Sequence, residues 1–101
     1  MSPKVLVIEP FTDLRSSIVT TLRSEHYVCD AVATAEEAAA QMDAHPYEYV
    51  IVDLYSTGDF ASKVSGDSRI ILLTEDDSYR GNHATLLKPF SRADLLSRVT
   101  N

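Results

Sequence analysis

Tyr49-Val50-Ile51-Val52-Asp53 is a run of strand-forming residues that stops on a carboxylate. Val, Ile and Tyr suit a pleated backbone, and an apolar run without polar alternation predicts a strand covered on both faces, the habit of parallel sheets. Two stretches on either side read the same way. Lys4-Val5-Leu6-Val7-Ile8 leads into Glu9, and Arg69-Ile70-Ile71-Leu72-Leu73-Thr74 ends on a hydroxyl.

Helical signals fill the gaps. After the turn Glu9-Pro10-Phe11, Thr12 is placed to cap a helix whose apolar residues Leu14, Ile18 and Leu22 recur every four positions, ending near His26. Residues 27–33 form a short β-rich segment. They are followed by Thr34-Ala35-Glu36-Glu37, a capping box that opens a second helix through Ala38, Ala39 and Met42 before Pro46 interrupts. Beyond Asp53, residues 55–58 read as a loop and 59–64 as at most a short helix. Ala84-Thr85-Leu86-Leu87 is a short strand, and Ser91-Arg92-Ala93-Asp94 starts a last helix carrying Leu95, Leu96 and Val99. Strands alternating with helices imply an α/β fold on a parallel sheet.

With 101 residues, 45% of them hydrophobic, the chain is sized for one domain over residues 1–101. The net charge of −6 and nine scattered basic residues argue against nonspecific nucleic-acid binding, which needs clustered Lys and Arg. Apolar runs reach only four residues, too short for a membrane helix. The start of the chain lacks the pattern of a signal peptide, so a cytoplasmic location is expected. Cys29 is the single cysteine, which rules out an intrachain disulfide and predicts a buried strand thiol. His26, His45 and His83 show no metal-ligand spacing. The acidic turn after the first strand is not a glycine-rich phosphate loop, and no dinucleotide fingerprint occurs, so an independent enzyme is not expected.

Four features fall on strand ends in chain order: Glu9, Asp53, Thr74 and Lys88-Pro89-Phe90. In an open parallel sheet these ends converge on the crevice where sites are built. In this order and setting they resemble the response-regulator receiver domain of two-component signalling, over essentially the whole chain. The resemblance implies a flavodoxin-like, doubly wound, five-stranded sheet of order 2-1-3-4-5. It implies Asp53 as acceptor of a phosphoryl group, Thr74 and Lys88 as ligands of that group, and Thr74 and Thr85 at the switch positions. A cis Lys88-Pro89 bond and a Mg²⁺ site on Glu9 and Asp53 also follow from it. So do its partners: a histidine kinase or phosphotransfer protein and a downstream protein. The residue types suit that chemistry, because a carboxylate can take up a phosphoryl group only if cations such as Lys88 screen the developing charge.

Three departures qualify it. Where the family places two adjacent acids, this chain has Glu9-Pro10, and proline carries no side-chain oxygen, so Mg²⁺ affinity is weakened; Glu75, Asp76 and Asp77 are candidate substitute ligands. Residues 75–83 are too few for a full crossover helix. The family's third helix is therefore expected to be short and its fourth reduced or absent, leaving alternate side chains of Ile70 to Leu73 and of Leu86 and Leu87 poorly covered. Such a patch favours docking or a homodimer through the side formed by the last two strands and the last helix. Thr85 stands where many receivers carry an aromatic. Two functions remain open: a phosphoacceptor switch on Asp53, and a pseudo-receiver acting as a phosphorylation-independent interaction or oligomerisation module. Asp53 is alternatively a cap for residues 56–60.

Overall fold

A computed structural model describes residues 4–54, 68–75 and 84–99. In chain order the elements are β1 (Lys4–Ile8), α1 (Thr12–Ser24), β2 (Val28–Val32), α2 (Ala35–Ala44), β3 (Tyr49–Asp53), β4 (Arg69–Thr74), β5 (Ala84–Leu87) and α3 (Arg92–Val99). The strands form one sheet of order β2-β1-β3-β4-β5 in which every pairing is parallel. This is the flavodoxin-like order expected above. The loop expected at 55–58, the segment 59–64 expected to be at most a short helix, and the stretch 76–83 lie outside the described residues.

The apolar runs explain the layering. β3 is buried at all five positions between β1 and β4. Side chains alternate along each strand, so Val5, Val7, Ile51, Ile71 and Leu73 pack on one face against Ile18 and Leu22 of α1 and Leu95 and Val99 of α3. Leu6, Ile8, Val50, Val52, Ile70 and Leu72 line the opposite face with Ala38 of α2 and with Tyr47. Burying each large aliphatic side chain stabilises the fold by roughly 1.5–3 kcal/mol.

That second face differs from expectation. Ile70 and Leu72 are buried, and Leu86 is packed into the first face's core. Of the residues expected to be uncovered, Leu87 alone stays about half exposed, at 48%.

Helix ends show local sequence logic. The Thr34 hydroxyl accepts the Glu37 N–H at 3.2 Å while the Glu37 carboxylate accepts the Ala33 N–H at 3.3 Å, a near relative of the capping box. Ser91 and Asp94 exchange equivalent bonds at the start of α3. α1 departs from the sequence reading: Phe11 is its N-cap, without a side-chain cap bond, and Thr12 is its first helical residue. The helix ends at Ser24, short of His26, whose φ of 70° turns the chain toward β2 through the left-handed region.

Both edge strands receive an arginine. On β2 the Cys29 carbonyl accepts from Arg23 Nη2 at 2.9 Å, and on β5 the Thr85 carbonyl accepts from Arg98 Nε at 3.0 Å. At the foot of the sheet the Tyr47 hydroxyl donates to Asp30 Oδ2 at 2.7 Å. Burial and that bond push the Tyr47 hydroxyl's pKa upward. No helix among the described residues is long and apolar enough to cross a membrane.

Two measurements check these local causes. Thr34→Ala removes the α2 cap and lowers stability in urea unfolding by about 1 kcal/mol. Burial pushes the Cys29 thiol up from its ordinary 9.0 to about 11, against the pull of Arg23. The folded state then keeps a proton that the unfolded chain releases, so this contribution is whole below pH 9 and is lost as pH rises toward about 11. Cys29→Ala removes on the order of 2 kcal/mol of that alkaline decline.

Candidate functional site

Parallel strands bring their carboxyl ends to one side of the sheet, and there β1, β3 and β5 deliver three charged side chains. Glu9 follows β1 directly, and its N–H extends the ladder to the Val32 carbonyl at 3.1 Å. Asp53 is the last residue of β3 and continues the alternation of Tyr49 and Ile51. Lys88 follows β5, held by its N–H on the Thr74 carbonyl at 2.7 Å and followed by the cis Lys88-Pro89 bond that the sequence pattern implied.

The Lys88 ammonium bridges the two acids, 2.8 Å from Glu9 Oε1 and 2.8 Å from Asp53 Oδ1. Glu9 is wholly buried and Asp53 is 5% exposed. Such charges persist in low dielectric only when paired and hydrogen-bonded. Burial works against the Lys88 charge, but the hydrogen bonds to Asp53 and Glu9 and their negative charges outweigh it, holding the ammonium above its ordinary pKa.

Glu9 is held from other sides as well. Its Oε2 accepts the Phe11 N–H at 3.2 Å, and its backbone carbonyl accepts Arg15 Nη1 at 2.8 Å. Sequence reasoning missed Arg15 and the Phe11 N–H. An arginine one turn into a helix has many readings, and a backbone donor leaves no trace in residue type.

The other candidates are less directly tied. Thr74 is buried at the end of β4, opposite Leu87, and continues the alternation of Ile70 and Leu72 rather than that of Asp53. Its backbone carbonyl joins it to the cluster by accepting the Lys88 N–H. Thr85 is half-buried in β5, paired with Leu72. Pro10 and Glu75 are exposed, and Asp76 and Asp77 lie outside the described residues.

The donor set does not fit Mg²⁺, which requires near-octahedral oxygens at about 2.0–2.1 Å. The available carboxylates already share one ammonium, and Pro10 offers no side-chain oxygen. Among the described residues no group of three or more His, Cys, Asp or Glu side chains is placed to hold a metal.

The bridge has a measurable stability signature. Lys88→Met leaves two buried carboxylates facing each other and costs roughly 3–5 kcal/mol in urea unfolding, part of which Glu9→Gln in the same chain recovers. Because the Lys88 pKa is raised, its contribution is whole below the ordinary value of 10.5 and falls as pH rises through the folded value.

No protein-family model matches the chain. It is 26% identical over 111 residues to the transcriptional regulatory protein BasR of Escherichia coli strain K12, an alignment covering 95% of this chain and 50% of that protein. The chain therefore spans about half the length of the curated relative it matches. Among solved structures, chemotaxis response regulator CheY4 of Vibrio cholerae superposes with a TM-score of 0.90 at 24% identity, covering 98% of this chain and 97% of that one. The receiver domain of sensor histidine kinase PA1611 from Pseudomonas aeruginosa, solved with magnesium in its active-site cleft, gives 0.81 at 23% identity, covering 97% and 94%. These two show the fold. A response regulator receiver modulated diguanylate cyclase from Pelobacter carbinolicus reaches 31% identity with a TM-score of 0.80, covering 96% of this chain and 88% of that one. With that relative and the sheet order in hand, the chain belongs to the response-regulator receiver domains of two-component signalling.

Proposed function

We propose that this receiver domain accepts a phosphoryl group on Asp53 from a histidine kinase or phosphotransfer protein and thereby changes its affinity for a downstream protein. The observation that carries this reading is the Lys88 ammonium 2.8 Å from the Asp53 carboxylate, inside a desolvated cleft. In the reaction an Asp53 oxygen forms a bond to phosphorus as the bond from phosphorus to the donor nitrogen breaks, leaving an acyl phosphate. Lys88 offsets the incoming charge, and the Thr74 hydroxyl is the candidate ligand for a phosphoryl oxygen. Thr74 and Thr85 are then the switch positions, one at the end of β4 and one on the adjacent β5.

The domain itself is proposed to be non-enzymatic and cytoplasmic, and its charge of −6 disfavours nonspecific nucleic-acid binding. A homodimer through β4, β5 and α3 belongs to the same reading, supported by Leu87, which is half exposed on β5.

Pro10 and the full engagement of Glu9 favour a second reading, a constitutive interaction or oligomerisation module that has kept the fold without the switch. Intact-mass analysis after incubation with acetyl phosphate separates the two. The switch reading expects one adduct of about 80 Da on the wild type and none on Asp53→Asn. A folded wild type that gains no adduct moves the assignment to the second reading.

A further inference from the structure

We infer that the Lys88 ammonium is the built-in cation of this cleft and that it closes the site to divalent metal. Every oxygen of Glu9 already accepts a hydrogen bond. Oε1 accepts from Lys88 at 2.8 Å, Oε2 from the Phe11 N–H at 3.2 Å, and the backbone carbonyl from Arg15 at 2.8 Å. Two of those three donors carry positive charge. The next residue along the chain, Pro10, faces solvent and has no side-chain ligand to offer.

Charge leads to the same place as geometry. Glu9 and Asp53 bring two negative charges into a buried cleft, and the Lys88 ammonium lies within hydrogen-bond distance of both. A divalent ion seated on these carboxylates must either displace that ammonium or stand beside it with twice its charge, and like charges in low dielectric repel strongly. The two hydrogen bonds and two ionic partners also keep Lys88 charged well beyond neutral pH. A compact metal ion needs several oxygens at short range, whereas one long flexible side chain satisfies both acids from the far edge of the sheet. The inference does not depend on phosphorylation of Asp53. It makes Lys88 the permanent occupant of a position that an exchangeable ion would have to compete for.

The test uses Mn²⁺, whose unpaired electrons broaden the NMR signals of nearby nuclei, on the whole chain. In the wild type, up to about 5 mM Mn²⁺ leaves the thermal midpoint unchanged and produces no broadening centred on Glu9 and Asp53. Lys88→Met frees the two carboxylates for the ion, so the same Mn²⁺ raises its midpoint by about 5 °C and broadens the Glu9 and Asp53 amides. If that variant is unfolded without metal, binding linkage expects Mn²⁺ to restore its folded circular-dichroism signal, and Lys88→Gln, which keeps a polar head, repeats the comparison. Saturable broadening around Glu9 and Asp53 in the wild type overturns the inference. So do folded Lys88 variants that remain blind to Mn²⁺, because the exclusion then does not come from the lysine.

Discussion

The contact between Lys88 and two buried carboxylates ties together strand ends that are not neighbours. Adjacent strands lie about 4.8 Å apart, so a group at the end of β5 must pass β4 to reach β3 and one strand more to reach β1. The four-carbon stem of lysine supplies that reach. Glu9 supplies the rest, since its carboxylate stands one methylene further from the backbone than that of an aspartate. Once made, the bridge is obligatory, because its two carboxylates are buried and would be costly to leave unpaired.

The sheet makes this meeting possible. All its pairings run the same way, so every strand ends at the same rim, and the apolar runs behind the rim hold those ends rigid. Alternation then sorts the side chains. Asp53 continues the face covered by α1 and α3, while Thr74 continues the face of α2. A response that joined the two residues would therefore link opposite layers of the domain at the point where β3 meets β4.

Much of this was legible beforehand because strong local signals agreed with the global fold. β1, β3, β4 and β5 have the predicted limits, since unbroken apolar runs bounded by polar residues leave little freedom. The Thr34 and Ser91 caps carry their own hydrogen-bonding chemistry. Where reading failed, a distant or backbone group decided the outcome. Thr12 looked like a cap, yet the first free N–H of that turn, at Phe11, is satisfied from outside the helix by Glu9. Ile70 and Leu72 look uncovered when the short lengths of the neighbouring connections are counted, yet they are buried. Asp53 and Lys88 could be picked out singly, but the sharing of one ammonium with Glu9, and the clamping of Glu9 by Arg15, depend on distances that no residue pattern encodes.

The arginines on the outer strands set the terms on which this domain can meet another protein. An outermost strand ordinarily offers a ladder of backbone groups to any passing strand, and that offer carries little selectivity. Here Arg23 occupies an outward carbonyl on one flank and Arg98 an outward carbonyl on the other. A newcomer would have to evict a charged guanidinium before it could zip alongside. Backbone pairing at either flank therefore costs a hydrogen bond to a charged side chain, a penalty that helix surfaces and exposed side chains do not carry.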